Sequence, residues 1–143
     1  MKKIFFAIAI TFGLNFVWEI SQSFLYAPHY NGIGELISIH LWASGGDVVM
    51  VAVVLFLAWI CAEKFLKKKK NSWQELSLII FFGFLLSVSV EKYALTVGMW
   101  SYNVWMPMLP WLKVGLTPVL QMMIIPGGWQ LLIGSRNLVE RKK

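Results

Sequence analysis

The sequence predicts an all-α polytopic membrane protein: four transmembrane helices in an antiparallel bundle, with an aromatic outer loop at 99–114. Three observations lead there. Hydrophobic residues make up 58% of the 143 positions and charged residues only 14%, where a soluble domain carries about 25% charged. The apolar residues gather in four runs, about 4–26, 36–65, 73–99 and 114–135, each able to supply the ~20 residues that cross a bilayer. The basic residues cluster at alternate ends of these runs, which puts them on one side of a four-span chain, as cytoplasmic anchors do. Mean hydropathy is +0.66. The length fits a single domain, 1–143, with no room for a soluble domain beside the bundle.

The first run, Ile4 to Tyr26, follows "MKK" and could pass for a signal peptide. It is long, carries Trp18 and Glu19, and has no good small-x-small cleavage site, so it is read as a retained span. The second, Leu36 to Phe65, is free of charge from Val48 to Ala62. Its one cysteine, Cys61, lies in apolar sequence and reads as a packing residue. The third, Trp73 to Met99, is free of charge from Leu76 to Val90, and the fourth is free of charge from Val114 to Ser135. Pro118 and Pro126, the latter followed by two glycines, are expected to kink the fourth helix.

Orientation follows from the cations. Lys2 and Lys3, Lys64 with Lys67 to Lys70, and Arg136, Arg141, Lys142 and Lys143 fall on one side of a four-span chain. The opposite loops hold only Lys113. Both termini are therefore expected in the cytoplasm of a bacterial inner-membrane protein. The net charge of +6 serves topology in this pattern, and nucleic acid is not an expected partner. The outer loop carries Trp100, Tyr102, Trp105 and Trp111, amphipathic rings suited to the interface. Pro107 and Pro110 prevent a regular helix there, so a lid along the outer surface is expected.

Polar residues interrupt the spans at one depth. Glu19 is 16 residues from Lys3, Asp47 is 16 from Glu63, Glu91 is 16 from Glu75, and Gln121 is 15 from Arg136. At 1.5 Å per residue all four lie ~22–24 Å above the inner edge. Helical spacing adds companions: Asn15 to Glu19, Ser87 to Glu91 and Thr117 to Gln121 are each four apart, and His40 shares a face with Asp47. Between these last two, "ASGG" at 43–46 is expected to let helix backbones approach closely. The layer is thus Asn15, Glu19, His40, Asp47, Glu91 and Gln121. A plainer reading stands beside it: Asp47 and Glu91 at the membrane boundary, Lys92 or His40 neutralising a carboxylate, and Gln121 with Thr117 as interhelical glue. Intramembrane ionisable groups favour the functional reading.

Three acids and a histidine in low dielectric cannot all be charged. A protonated carboxyl can act as general acid while an ionised neighbour stabilises positive charge, and aromatic faces can help. That suits isomerisation or cyclisation of a lipid-soluble substrate, with Glu19, Asp47, Glu91 and His40 as catalytic candidates. Membrane lipids are the expected surroundings. The alternatives are a transporter or binding protein for a proton, cation or small amphiphile, and a structural subunit. The length leaves a homo-oligomer open. The same histidine and carboxylates would also suit zinc, manganese or iron, but with no H-E-x-x-H and no cysteine pair the signal is weak, and no metal or cofactor is assigned.

The stretch "EKYALTVGMWSYN", Glu91 to Asn103, followed by Leu109 and Pro110, resembles a segment of the membrane-type lycopene cyclases and related terpene cyclases. Glu91, Gly98, Trp100, Tyr102 and Asn103 match; the paired acids that follow there are absent from "LPWLKVG" here. "FVWEISQSF", Phe16 to Phe24, is similar to the glutamate-bearing helix of emopamil-binding, sterol-isomerase-like proteins. The chain as a whole resembles small bacterial four-helix membrane proteins. These resemblances imply an isoprenoid-like substrate. Asn15, Trp18, Trp100, Tyr102, Asn103 and Gln121 are the candidates for contact with it.

Overall fold

Apolar sequence must satisfy its own backbone hydrogen bonds when water is excluded, and long helices do this best. The computed structural model describes residues 2–28, 30–66 and 72–140, the side chains of 72 and 132–140 excepted. Four helices dominate: α1 (Lys2–Gln22), α2 (Ile33–Phe65), α3 (Ser72–Val97) and α4 (Leu116–Glu140). Among the described residues, three helical segments are long and apolar enough to cross a membrane: Lys2–Leu25, Ile33–Phe65 and Trp73–Val97. The lysines at 67–70, on which part of the orientation rests, lie outside the described residues, as do Arg141, Lys142, Lys143 and His29.

Local chemistry sets the boundaries. A single 3-10 turn, Ser23–Leu25, ends the first segment. Glu35 in the first turn of α2 reaches back to accept the Asn31 backbone N–H at 2.6 Å, which ties the incoming chain to the start of the helix. Gly98, with φ +73°, stops α3. There the Met99 N–H reaches back to the Ala94 carbonyl at 2.9 Å, the bond of a glycine-terminated helix end. The loop beyond is ordered by a two-residue antiparallel pair, β1 (Met108–Leu109) with β2 (Val114–Gly115). It is a small departure from the all-α structure.

The first helix buries the wrong residues for a water-soluble protein. Its buried positions are Thr11, Asn15 and Gln22, while Phe5, Phe6, Leu14 and Val17 are exposed. An amphipathic helix in water does the reverse; in lipid the polar stripe must turn inward. Helix α2 shows both kinds of face in turn: His40 and Ser44 are buried in its first half, and Val51, Val54, Ala58 and Ala62 in its second. Consecutive helices pack side by side, most extensively α3 on α4, while α1 touches α4 only lightly. Two apolar clusters fill the half of the bundle away from the outer loop. One joins Val51, Met122 and Ile125, the other Val54, Ala58 and Ile79.

The close helix approach is found at a different glycine from the one expected. Nothing lies within 4 Å of a Cβ built at Gly45 or Gly46, because α2 faces open space there. At Gly83 a Cβ would lie 2.2 Å from the Met122 carbonyl oxygen. Pro126 has no N–H to give that carbonyl, and the bare backbone of Gly83 fits against it, a close approach that small residues permit between apolar helices. Pro118 falls in the first turn of α4, where no intrahelical bond is lost, and α4 continues as one helix through Pro126.

Candidate functional site

A directed chain of amides runs across the bundle. The Thr11 backbone carbonyl can only accept, so Asn15 presents Nδ2 to it at 2.9 Å. Asn15 Oδ1 is thereby turned to Gln121, whose Nε2 donates to it at 2.8 Å and to Asp47 Oδ2 at 2.9 Å. Gln121 Oε1 then accepts from Gln22 Nε2 at 3.3 Å, and the same nitrogen donates to Glu19 Oε1 at 2.7 Å. Each amide's orientation follows from the one before, and both branches end with an N–H aimed at a carboxylate. Asn15 and Gln121 are fully buried, so the chain is shielded from competing water. Gln22 Oε1 is a buried oxygen with no donor.

Glu91 is held from the loop side. Tyr102 O–H and Trp100 Nε1–H both donate to its Oε2, the latter at 3.3 Å. The Tyr102 oxygen in turn accepts the Gly115 N–H at 2.9 Å. The segment bearing these rings is stitched to the end of the first helical segment. Tyr26 and Tyr102 form an isolated antiparallel bridge. The Ala27 N–H donates to Ser101 O at 2.9 Å and the Asn103 N–H to Leu25 O at 2.8 Å. Burial pushes the Tyr102 phenol well above its ordinary value, and its hydrogen bond to Glu91 adds to this. The Tyr102 phenol therefore holds its proton above the pH at which an ordinary tyrosine loses it.

His40 is buried and its Nδ1 lies 2.8 Å from the Leu36 carbonyl. A carbonyl only accepts, so Nδ1 carries a proton and donates to it, and Nε2 is the ring nitrogen left for other partners.

These groups enclose a cavity of about 510 Å³, within the range of small-molecule sites, ~300–1,000 Å³. Glu19, His40, Asp47, Glu91, Trp100 and Gln121 all line it, and so do Tyr26 and Ser87. Met50, Val90, Met99 and Met122 supply apolar wall, and among the described residues no lysine or arginine is in the lining. Among the described residues, no three His, Cys, Asp or Glu side chains are placed to hold a metal ion together.

The other sequence candidates lie elsewhere. Asn15 sits behind Gln121 and acts through it. Tyr102 reaches the cavity through Glu91. Trp18 lines a separate apolar groove between α1 and α4, because it is one position round the helix from the polar stripe. Asn103 shapes the loop, its Oδ1 accepting the Val104 N–H at 2.6 Å. Thr117 turns to Met106 Sδ at 3.4 Å while Gln121 points into the bundle, and Lys92 is exposed on α3. Trp129, read as packing, also donates to Thr11 Oγ1 at 2.9 Å.

Gln22 and Tyr26 were not anticipated. Gln22 had a signal: it is seven residues from Asn15 and three from Glu19, on the same helical face. Tyr26 had none, because its place depends on the bridge to Tyr102. No family model, curated protein or solved structure matches the chain.

Proposed function

We propose that this chain is an integral membrane protein with α4 as its fourth span and both termini cytoplasmic, and that its cavity performs acid–base chemistry on a lipid-soluble substrate. One observation carries the reading: three carboxylates and an imidazole line a single largely apolar cavity and, among the described residues, His40 is its one basic side chain. A carboxyl in its acid form transfers a proton to an unsaturated carbon or a heteroatom of the substrate. The positive charge that develops is stabilised by a second carboxylate and by the faces of Trp100 and Tyr26. Removal of a proton from a neighbouring carbon by a carboxylate or by His40 Nε2 restores neutrality. The net reaction is an isomerisation, or a cyclisation where an internal double bond captures the cation. Isoprenoids fit this chemistry, in keeping with the local resemblance to membrane terpene cyclases.

Transport is the weaker reading. The cavity gives way to the apolar clusters around Val51 and Val54, which offer an ion no polar path. The test is lipid mass spectrometry on cells expressing the wild type, Glu19→Gln, Asp47→Asn or Glu91→Gln. An apolar lipid converted by the wild type and left unconverted by all three folded variants is expected. Unchanged lipids together with proton or cation flux in proteoliposomes would overturn the enzyme reading.

A further inference from the structure

Several sides of the cavity are walled. Its α4 wall, Pro118, Gln121 and Met122, is buried. Its top is covered by Trp100, whose ring stands edge-on to Tyr26 at 6.4 Å. Below it, Val54 and Ala58 of α2 are packed with Ile79 of α3, and Leu55, Phe82 and Leu86 add to the cluster. No such cluster joins the outer halves of the same two helices among the described residues. There the lining consists of Ala43, Gly46 and Met50 from α2 and Val90 from α3, with Met99 just beyond. Gly46 and Met99 are the exposed members of the lining, and a Cβ at Gly46 would meet nothing within 4 Å. The exposed edge is therefore a gap between α2 and α3, facing the surroundings of the helices and bordered by apolar side chains.

We propose that the cavity takes its ligand sideways from the bilayer, between the outer halves of α2 and α3, and that Gly46 at this opening sets the bulk of chain that can lie there. The inference rests on the reading of the cavity as a ligand site. The ligand is an elongated apolar molecule with one small polar or unsaturated end. That end reaches Glu19, Asp47 and Glu91, while the remainder trails past Gly46 and Met50 into lipid. Such a ligand never leaves the apolar phase, so an opening to lipid rather than to water suits it. An opening lined by a glycine admits a chain that any larger side chain would obstruct.

The test uses the full-length protein in vesicles containing a trace of a long-chain alcohol that carries a diazirine beside its hydroxyl end. After irradiation, labelled residues are mapped by mass spectrometry. Wild-type protein is expected to be labelled on cavity residues such as Met50, Val90 and Met122. Gly46→Leu should reduce this labelling at least ~10-fold, since even one methylene out of place in a pocket is worth ~10-fold. Gly46→Ala should have a smaller effect, and Gly128→Leu in the separate α1–α4 groove none. The space at Gly46 lets both position-46 variants fold, which circular dichroism checks. Equal labelling in Gly46→Leu, or labelling confined to the α1–α4 groove, would overturn the proposal. So would rapid reaction of Gly46→Cys, in a Cys61→Ala background, with a sulfonated maleimide confined to water. Cavity labelling lost in Gly46→Leu, in a protein that converts no lipid, would uphold this inference while the enzyme reading failed.

Discussion

At the scale of single residues, Gln121 and Tyr102 are the joints of the site. Gln121→Leu removes the partner of Asn15, of Asp47 and of Gln22 together. Bonds between membrane helices average ~0.6 kcal/mol with a maximum near ~1.7, so the variant is expected to lose about 2–5 kcal/mol, read by thermal unfolding in detergent. Tyr102→Phe removes a donor from Glu91 and the acceptor of the Gly115 N–H, a loss of ~1–3 kcal/mol. It also has a pH signature. The folded phenol holds its proton above the ordinary value of 10.0, so the stability it contributes is complete below pH 10 and declines above it, where the unfolded chain ionises first. Melting curves between pH 8 and about pH 11 should fall less steeply for Tyr102→Phe than for wild type. Much of this site is legible in sequence, because Asn15, Glu19, His40, Asp47, Glu91 and Gln121 are conspicuous in apolar surroundings. Their hydrogen-bond directions are not, since these follow from a backbone carbonyl at Thr11 that helical spacing cannot orient.

Among the helices, the two kinds of glycine give opposite expectations. Gly83→Ala would place a methyl group 2.2 Å from the Met122 carbonyl and force α3 away from α4, costing about 1–3 kcal/mol as overpacking does. Gly45→Ala meets only open space and should gain ~0.5–1 kcal/mol from reduced backbone freedom. Unfolding of the two variants side by side checks both signs. The helices themselves were readable from apolar run length, and α2 and α3 begin or end within a few residues of their expected limits. Which face of each helix meets which neighbour was not. "ASGG" and "FFGF" are equally plausible as contact motifs, and only the Met122 carbonyl opposite Gly83, which Pro126 one turn on leaves without an N–H, distinguishes them. The outer loop's aromatics announced an interface, but its hairpin is only two residue pairs long, too short for alternation to register.

For the whole molecule, reporter fusions at the C-terminus should be active only in the cytoplasm. An external C-terminus would contradict both the fourth span and the common depth of the polar layer. The inward-facing polar stripe of α1 also bears on how the protein is made. Asn15 finds its side-chain partner 106 residues later, on the last helix. At ~5–20 residues per second, the ribosome supplies that partner roughly 5–20 s after α1 has been synthesised. Until then Asn15 keeps its local bond to the Thr11 carbonyl and Gln22 its bond to Glu19, while the bonds that α1 makes to α4 are still unmade. A chain stopped before residue 116 lacks α4 altogether and never completes the match. If the helices span a membrane as proposed, such a fragment keeps an incompletely matched polar stripe there, the kind of mark by which a quality-control protease can distinguish an unfinished chain from a finished one.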